Sequence, residues 1–200
     1  MDCTWIAHKL PWIAQILLEL HYPVQPQFIA AHISLPNYIN PMIRIDQPLL
    51  DKVSRLAKES PRGRKNYNFH KTYEDSLQRL LNAIEPYSYI QPHKHENPDK
   101  REVFTVLQGR LLVVEFDTSG NITEHCIIAP AEGIFGAEIS ERTFHSIFAM
   151  ESGTMVYEIK DGPYSPIDDK NFATWAPKEG EAGVKDYIEE VFNKLGIQLP

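Results

Sequence analysis

Three histidines and one glutamate are the residues of this chain whose types and spacing could support chemistry. His93 and His95 are two positions apart, Glu102 follows seven positions later, and His145 lies fifty positions beyond His95. Side chains at positions i and i+2 of a β-strand point to the same face, so the histidine pair aims two imidazoles into one space. Neutral imidazole nitrogens and a carboxylate oxygen suit divalent transition metals such as iron, manganese, nickel and zinc. The pattern therefore predicts one such ion bound by His93, His95, Glu102 and His145.

The fourth ligand has a rival in Glu96, which directly follows His95. Consecutive side chains of a regular strand face opposite ways, so Glu102 is the favoured carboxylate. The segment Asn-Pro-Asp-Lys at 97–100 predicts a turn, because proline fixes φ and Asn and Asp bond their own backbone. Glu102 then begins the returning strand.

The same alternation predicts a pocket beside the metal. Tyr89 and Gln91 share the face of the two histidines, and Phe104 follows on the face of the glutamate ligand. Tyr157 and Glu158 must point to opposite sides of their strand, and Tyr157 is favoured as the side chain inside. We therefore expect substrate contacts from Tyr89, Gln91, Phe104 and Tyr157.

A basic cluster upstream could add an anion contact. Arg62, Arg64 and Lys65 stand close together, and the two guanidinium groups could hold a phosphate or carboxylate. His70 follows them and is a candidate substrate contact near the mouth of the barrel. The alternative for both is an ordinary solvated loop. His125, in the middle of a predicted strand, is expected to be exposed.

The ligand spacing resembles the cupin family. The His-x-His pair is followed by a glutamate and, seven positions after it, by Gly109, as in the first cupin motif. Six residues separate the second histidine from the glutamate, a longer gap than in the usual motif. Of the second motif, Pro-x-Gly-x-x-His, only His145 matches, because Ser140 and Arg142 stand at its Pro and Gly positions. The resemblance implies a jelly-roll barrel that holds one metal ion.

A closer resemblance covers residues 42–180. It includes the segments 60–70, 92–98, 142–146 and 157–166, which read SPRGRKNYNFH, PHKHENP, RTFHS and YEIKDGPYSP. These strings resemble the WbuC family of cupin-fold metalloproteins. Members of that family tend to be encoded near bacterial surface-polysaccharide and O-antigen genes, so the resemblance implies a role in polysaccharide or lipopolysaccharide biosynthesis.

Composition excludes several classes of protein. The net charge of −7 and the pI near 5.6 argue against a nucleic-acid partner, which would require a basic face. Cys3 and Cys126 form no disulfide framework and no cysteine metal site, so the cytoplasm is the expected compartment. No apolar run reaches the roughly 18 residues of a membrane span. A chain of 200 residues is expected to form one domain, or one domain with an appendage.

Hydrophobic spacing predicts the elements that position these residues. A helix begins at Gln47 and ends at Ser60-Pro61, a second covers 77–84, and a last one covers 184–195 before a terminating Gly196. Short strands separated by turn-formers are predicted at 87–95, 102–108, 111–116, 122–129, 134–139, 142–149 and 154–160. The chain is therefore predicted to be mainly β, a cupin jelly-roll barrel with flanking N-terminal and C-terminal helices.

The chain divides into four segments. Residues 1–41 carry only three formal charges and five prolines, which indicates an appended or non-native extension with the natural start at Met42. A signal peptide is the alternative, but no clear cleavage site follows the apolar stretch. Beyond it we expect a helical N-terminal part of the cupin unit at 42–85, the barrel at 86–166, and a wrapping tail with a C-terminal helix at 167–200.

The sequence is compatible with three functions. The first is a small metal-dependent enzyme, an isomerase, epimerase or oxygenase, acting on a carbohydrate or polar metabolite. The second is a non-enzymatic metal- or sugar-binding module, and the third is a sugar epimerase that works without metal. Each expects a small-molecule ligand, such as a sugar or sugar nucleotide, and leaves a homodimer as an option.

Overall fold

The structure, a computed structural model, describes residues 42–165 and 170–200. The expectations for residues 1–41 lie outside this part of the chain. Residues 44–200 form one compact unit. In the described residues, no helix is long and apolar enough to cross a membrane.

Two α-helices flank the strands in the described residues, as predicted. Helix α1, Gln47–Glu59, begins where the Asp46 side chain accepts a hydrogen bond from the Leu49 amide at 3.2 Å. This cap satisfies one of the amides that have no partner inside the helix. Helix α2, Val184–Leu195, ends at Gly196, whose φ of 65° lies in the left-handed region that glycine adopts without strain.

In the described part of the chain, ten strands form two antiparallel sheets. In chain order they are β1 Arg64–Asn68, β2 Leu77–Ile84, β3 His93–Lys94, β4 Glu102–Gln108, β5 Leu111–Phe116, β6 Ile122–Ile128, β7 Gly136–Ile139, β8 Phe144–Ala149, β9 Thr154–Asp161 and β10 Asn171–Phe172. Sheet 1 has the order β1-β2-β9-β4-β7, and sheet 2 has the order β10-β3-β8-β5-β6. From β2 onward the chain passes between the sheets at almost every connection, which is the topology of a jelly roll. The predicted fold class is confirmed.

Three apolar clusters show how the layers pack. The first lies between the sheets and includes Phe104 and Val156 from sheet 1 and Val113 and Ile147 from sheet 2. The second packs α2 against the outer face of sheet 2, and the third packs α1 against the outer face of sheet 1. Each helix thus covers part of the outer face of one sheet, and the interior of the barrel is the space between the sheets.

The prediction of a helix at 77–84 is wrong, because this segment is strand β2. It pairs with β1 on one side and with β9 on the other. Leu81 and Ala83 face α1, whereas Leu80 and Ile84 face the barrel interior, so apolar residues fall on both faces. A strand buried on both faces loses the simple alternation of a half-exposed strand and can imitate helical spacing. Sheet 1 therefore begins at Arg64, inside the segment predicted to be helical.

Candidate metal centre

The two sheets each contribute ligands to one end of the barrel. His93 on β3 lies directly opposite His145 on β8 in sheet 2. His95 follows β3 by one residue, and Glu102 is the first residue of β4 in sheet 1. The four side chains are all buried, and one ligand atom from each lies within 4.8 Å of the others. The structure thus brings together the four residues that the sequence singled out.

Gly109, the glycine of the first motif, shapes the turn that follows strand β4. Its φ is 80°, and a Cβ built there would lie 2.5 Å from the Thr154 Oγ1 and 2.9 Å from the Thr154 Cα. Any other residue would strain the backbone and collide with β9. The glycine therefore allows β4 to turn tightly into β5 while β9 stays paired beside it.

Backbone hydrogen bonds orient two of the imidazoles. The Nδ1–H of His93 donates to the Gln91 carbonyl at 3.0 Å, and the Nδ1–H of His145 donates to the Thr143 carbonyl at 2.9 Å. Each Nε2 is thereby left with a lone pair that points into the cluster. Such outer contacts commonly fix the tautomer of metal-binding histidines.

The carboxylate faces these nitrogens without an intervening protein group. Glu102 Oε2 lies 2.8 Å from the Nε2 of His145 and 3.2 Å from the Nε2 of His95. The Nε2 of His93 is buried and has no hydrogen-bond partner among the described residues. Lone pairs that converge in this way need a proton or a cation between them, because a buried unpaired polar atom is costly.

The ionisation states suit a cation. Burial, together with the charge of Lys170, lowers the pKa of His93 well below its usual value, which keeps the ring neutral. Burial opposes ionisation of Glu102, but its close contacts with the imidazoles of His145 and His95 and the nearby Lys160 outweigh it and lower its pKa well below the usual range. Neutral imidazoles and an ionised carboxylate are the forms that bind metal.

The dimensions also fit an ion. Bonds to imidazole nitrogen and carboxylate oxygen are about 2.0–2.2 Å long, so ligands on opposite sides of an ion lie about 4.2 Å apart. The ligand atoms here lie within 4.8 Å of one another, which is close to that span. The donor set of three histidines and one glutamate can therefore hold a divalent transition metal.

Glu96, the alternative ligand, does not join the cluster. Its carboxylate forms an ion pair with Lys94 and remains partly exposed. The preference for Glu102 agrees with the position of the two side chains.

The cluster opens on a cavity of about 640 Å³ inside the barrel. His93, Glu102 and His145 line it, so three of the four candidate ligands are exposed to the same space. Gln91 and Phe104, two of the predicted pocket residues, line it as well. A volume of this size falls within the range of about 300–1,000 Å³ of small-molecule sites.

Two predicted pocket residues face away from the cavity. Tyr89 packs in the cluster beneath α2 and donates a hydrogen bond to the Pro177 carbonyl at 2.8 Å. The prediction for Tyr89 is wrong because residues 87–92 form no strand, so Tyr89 and Gln91 do not share a face. Tyr157 packs beneath α1 against Phe69, with ring centroids 5.8 Å apart. Glu158, the next residue, points into the barrel instead.

The predicted anion site is occupied by a side chain of the protein itself. Arg62 donates two hydrogen bonds to the Glu179 carboxylate at 2.6 and 2.8 Å, and Arg64 donates to both of its oxygens at 2.8 Å. Both arginines line the cavity, and so does His70. The Nδ1 of His70 accepts from the Arg79 amide at 3.1 Å. His125 is exposed, as expected.

Sequence reasoning missed a buried polar wall opposite the apolar side chains of the cavity. Asn82, Glu158 and Lys160 are buried and line the cavity, together with the partly exposed Lys170. Asn82 Nδ2 donates to Glu158 at 3.1 Å, and Lys160 Nζ lies 3.5 Å from Glu102 Oε1. The signal was available in β9, because Val156 is a core residue and Glu158 and Lys160 follow it on the same face.

Comparisons with known proteins add the following findings. Residues 45–128, less than half of the chain, match the family described as a domain of unknown function, DUF6016. No curated protein matches the chain. Similar solved structures include KdgF from a Halomonas species, with 18% identity over 52% of this chain and 82% of that chain and a TM-score of 0.40.

Two further structures are similar over about half of this chain. The capsular polysaccharide assembling protein CapF from Staphylococcus aureus has 20% identity over 52% of this chain, but only 28% of its own chain is covered, with a TM-score of 0.44. The L-ribose isomerase from Cellulomonas parahominis has 15% identity over 56% of this chain and 63% of its own, with a TM-score of 0.41. The jelly-roll assignment for this protein rests on its own strand order and layers.

Proposed function

We propose that this protein is a metal-dependent cupin enzyme that acts on a small carbohydrate or related polar metabolite. The observation that carries the proposal is the cluster of three histidines and one glutamate at the wall of a polar cavity. Iron, manganese, nickel and zinc all accept these ligands. A bound divalent ion would supply Lewis acidity, which polarises a substrate oxygen and lowers the pKa of a bound water.

The surrounding residues have separate tasks in this proposal. The carbonyls of Gln91 and Thr143 hold the imidazoles of His93 and His145 in one orientation. Phe104 is fully enclosed beside the cluster and excludes water from that side of the cavity. The protein thus keeps the ligand atoms preorganised at the wall of the cavity.

Glu158 is the residue that could exchange a proton with the substrate. Of the glutamates that line the cavity in the described residues, Glu102 belongs to the ligand cluster and Glu179 is held by two arginines. Burial, reinforced by the negative charge of Glu102, raises the pKa of Glu158 above its usual value, as is common for catalytic acids and bases. Asn82 orients the carboxyl group by its hydrogen bond. A proton-exchanging group beside a metal favours an isomerase or epimerase over an oxygenase.

The finer assignment follows from the sequence resemblance. The segments that resemble the WbuC family support a role in bacterial surface-polysaccharide biosynthesis, with a sugar or sugar nucleotide as the ligand. The two cysteines, far apart in the sequence, support a cytoplasmic location. Both assignments are part of the proposal.

The first experiment measures the metal content of the purified protein. Protein purified without chelator should contain one divalent transition metal per chain by elemental analysis, and the double variant His93→Ala with His145→Ala should contain almost none. His125→Ala is the matched control, because this histidine is exposed on β6 and lies outside the cluster. Undiminished metal in the double variant would exclude the assigned centre.

A second experiment separates the enzyme from its two alternatives. Metabolites that raise the thermal midpoint of the metal-loaded protein are incubated with it, and the products are followed by NMR. Turnover that requires metal and falls in Glu158→Gln, with metal content retained, supports the enzyme. Binding without turnover indicates a binding module, and turnover by chelated protein indicates the metal-free epimerase.

A further inference from the structure

We infer that the natural ligand of this cavity is a sugar acid, whose carboxylate is attracted by Lys170 and whose hydroxyl groups bond to Asn82. This inference rests on the proposed function, since it specifies the substrate class of the same site. Three features of the cavity lead to it: its charge, a buried acceptor without a partner among the described residues, and the nature of its polar lining.

The charge of the cavity is opposite to that of the protein. Among the described residues that line it, five are cationic and three are anionic, an excess of two positive charges. The cations are Arg62, Arg64, Lys65, Lys160 and Lys170, and the anions are Glu102, Glu158 and Glu179. The whole chain carries −7. A divalent ion would raise the local excess further, so the cavity attracts an anion although the protein as a whole repels it.

Lys170 is the cation best placed to meet that anion near the metal cluster. The other cavity cations already face protein carboxylates or lie at the exposed edge, with Lys160 beside Glu102 and the two arginines on Glu179. No carboxylate of the described residues forms an ion pair with Lys170. Burial lowers the pKa of its amine, the negative charges of Glu102 and Glu158 oppose that fall, and the charge of Lys170 acts on His93. A ligand carboxylate beside Lys170 would offset the cost of holding this amine in its charged form.

Asn82 supplies an acceptor that no donor of the described residues satisfies. Its side chain is 4% exposed and lines the cavity, and its Nδ2 is used by Glu158. Its Oδ1 is buried and has no hydrogen-bond partner among the described residues. The adjacent Glu158 presents further acceptor capacity. Two neighbouring acceptors call for a donor such as a hydroxyl group, which a carboxylate alone does not have.

The rest of the lining suits a hydroxylated molecule. Among the residues that the structure describes, five carboxamide side chains line the cavity, namely Asn66, Asn68, Gln78, Asn82 and Gln91. A carboxamide has both donors and an acceptor, which is what a polyol requires. The Nε2 groups of Gln78 and Gln91 already donate to backbone carbonyls. Ile90, Phe104 and Ile147 form an apolar side that can contact the C–H edges of a sugar. At about 640 Å³ the cavity has room for a monosaccharide acid.

The test compares acids with their neutral counterparts. Binding of glucuronate, galacturonate and gluconate to metal-loaded full-length protein is measured by calorimetry, beside glucose, galactose and glucitol, at low and high salt. We expect at least one acid to bind about tenfold or more tightly than its neutral partner, about 1.4 kcal/mol. The preference should shrink as salt screens the charges.

Two variants separate the contributions of charge and hydroxyl contact. Lys170→Met should reduce the preference for the acid by about tenfold with metal content unchanged, whereas the exposed Lys52→Met should leave it as it is. Asn82→Ala should weaken an acid and its neutral partner alike. The inference is overturned if no acid in the panel binds more tightly than its neutral partner, or if Lys170→Met leaves the preference intact. Loss of metal from the wild-type protein would count against the proposed function instead, so the two failures can be told apart.

Discussion

Replacing Glu179 by alanine should destabilise the protein by removing one carboxylate that two arginines share. Arg62 and Arg64 extend from the edge of sheet 1, and Glu179 belongs to the tail that follows β10. The same tail is attached at Gln91, whose side chain donates to the Ala173 carbonyl, and at Tyr89, whose hydroxyl donates to the Pro177 carbonyl. The substitution therefore tests how strongly this tail is held beside the cavity.

The magnitude follows from the exposure of the three partners. Arg62 is 60% exposed and Glu179 40%, so this pair should contribute at most about 1 kcal/mol. The Arg64 side chain is only 10% exposed, and charge-assisted hydrogen bonds of this kind contribute about 1.5–3 kcal/mol. Arg64 keeps its bond to the Tyr89 carbonyl at 2.8 Å, which favours the lower end of that range. The expected loss is about 2 kcal/mol, or about 4–8 °C in the thermal midpoint for a chain of this size.

The loss of stability caused by Glu179→Ala should become smaller as the pH falls into the acid range. Burial raises the pKa of Glu179, but hydrogen bonds from Arg62 and Arg64 outweigh it and leave the pKa below the usual value. A carboxyl group whose pKa is lowered by folding stabilises the protein above its unfolded pKa, about 4.3, and this contribution is lost as the pH falls through the folded pKa. The difference between the wild type and Glu179→Ala should be complete at neutral pH and shrink below about pH 4.

Urea unfolding of both proteins across this pH range measures the effect, with hydrogen exchange of the tail amides as a second measurement. Glu74→Ala is the control, because Glu74 is exposed in a loop. Metal content should not change, since Glu179 does not contact the four ligands. A difference below about 0.5 kcal/mol, within the range of ordinary surface substitutions, would refute the reasoning. So would a difference that persists unchanged in acid, or additive losses when Glu179→Ala is combined with Arg64→Met.

Four further outcomes are expected. Metal at about a hundredfold excess over its Kd should stabilise the protein by about 2.7 kcal/mol, or about 5–11 °C, and equal midpoints with and without EDTA would contradict this. Phe192→Ala should cost about 3–5 kcal/mol in urea unfolding, because this fully buried ring joins α2 to sheet 2; a loss under about 1 kcal/mol would mean that α2 is not docked. Gln91→Leu removes the 2.9 Å bond to the Ala173 carbonyl and should weaken ligand binding in calorimetry, with metal content near normal. A chain that starts at Met42 should express and bind metal as the full chain does, and insolubility would show that residues 1–41 are needed.

Errors in the predicted pocket have a common origin in strand regularity. Gln91 and Phe104 line the cavity, but Tyr89 lies under α2 because the chain before β3 is not a strand. Assigning every second residue to the same face is valid only where all of these residues belong to one regular strand. From Val156 to Lys160 the pairing of β9 is regular on both sides, and counting from the core residue Val156 would have placed Glu158 inside.

The burial of both faces of strand β2 explains why this segment was predicted to be a helix. In β2 the residues that contact α1 alternate with residues that face the cavity, and most of the strand is buried. Hydrophobic spacing reports burial and cannot tell which layer covers each side. The helices α1 and α2 were recognised correctly because each has one apolar stripe and one solvated face, together with a capping residue at one end.

The sequence by itself determined which four residues could form a metal site, the mainly β class and the two flanking helices. These follow from local rules, since His-x-His, a turn and a following glutamate carry their geometry within a few residues. Only the tertiary structure decided that His145 meets His93 across sheet 2, that Glu179 occupies the two arginines, and that a cationic wall forms around the cavity. Those contacts join residues far apart in the chain, and their partners depend on how the two sheets stack and where the tail returns. Pairing across layers is a property of the packed barrel, which local periodicity does not encode.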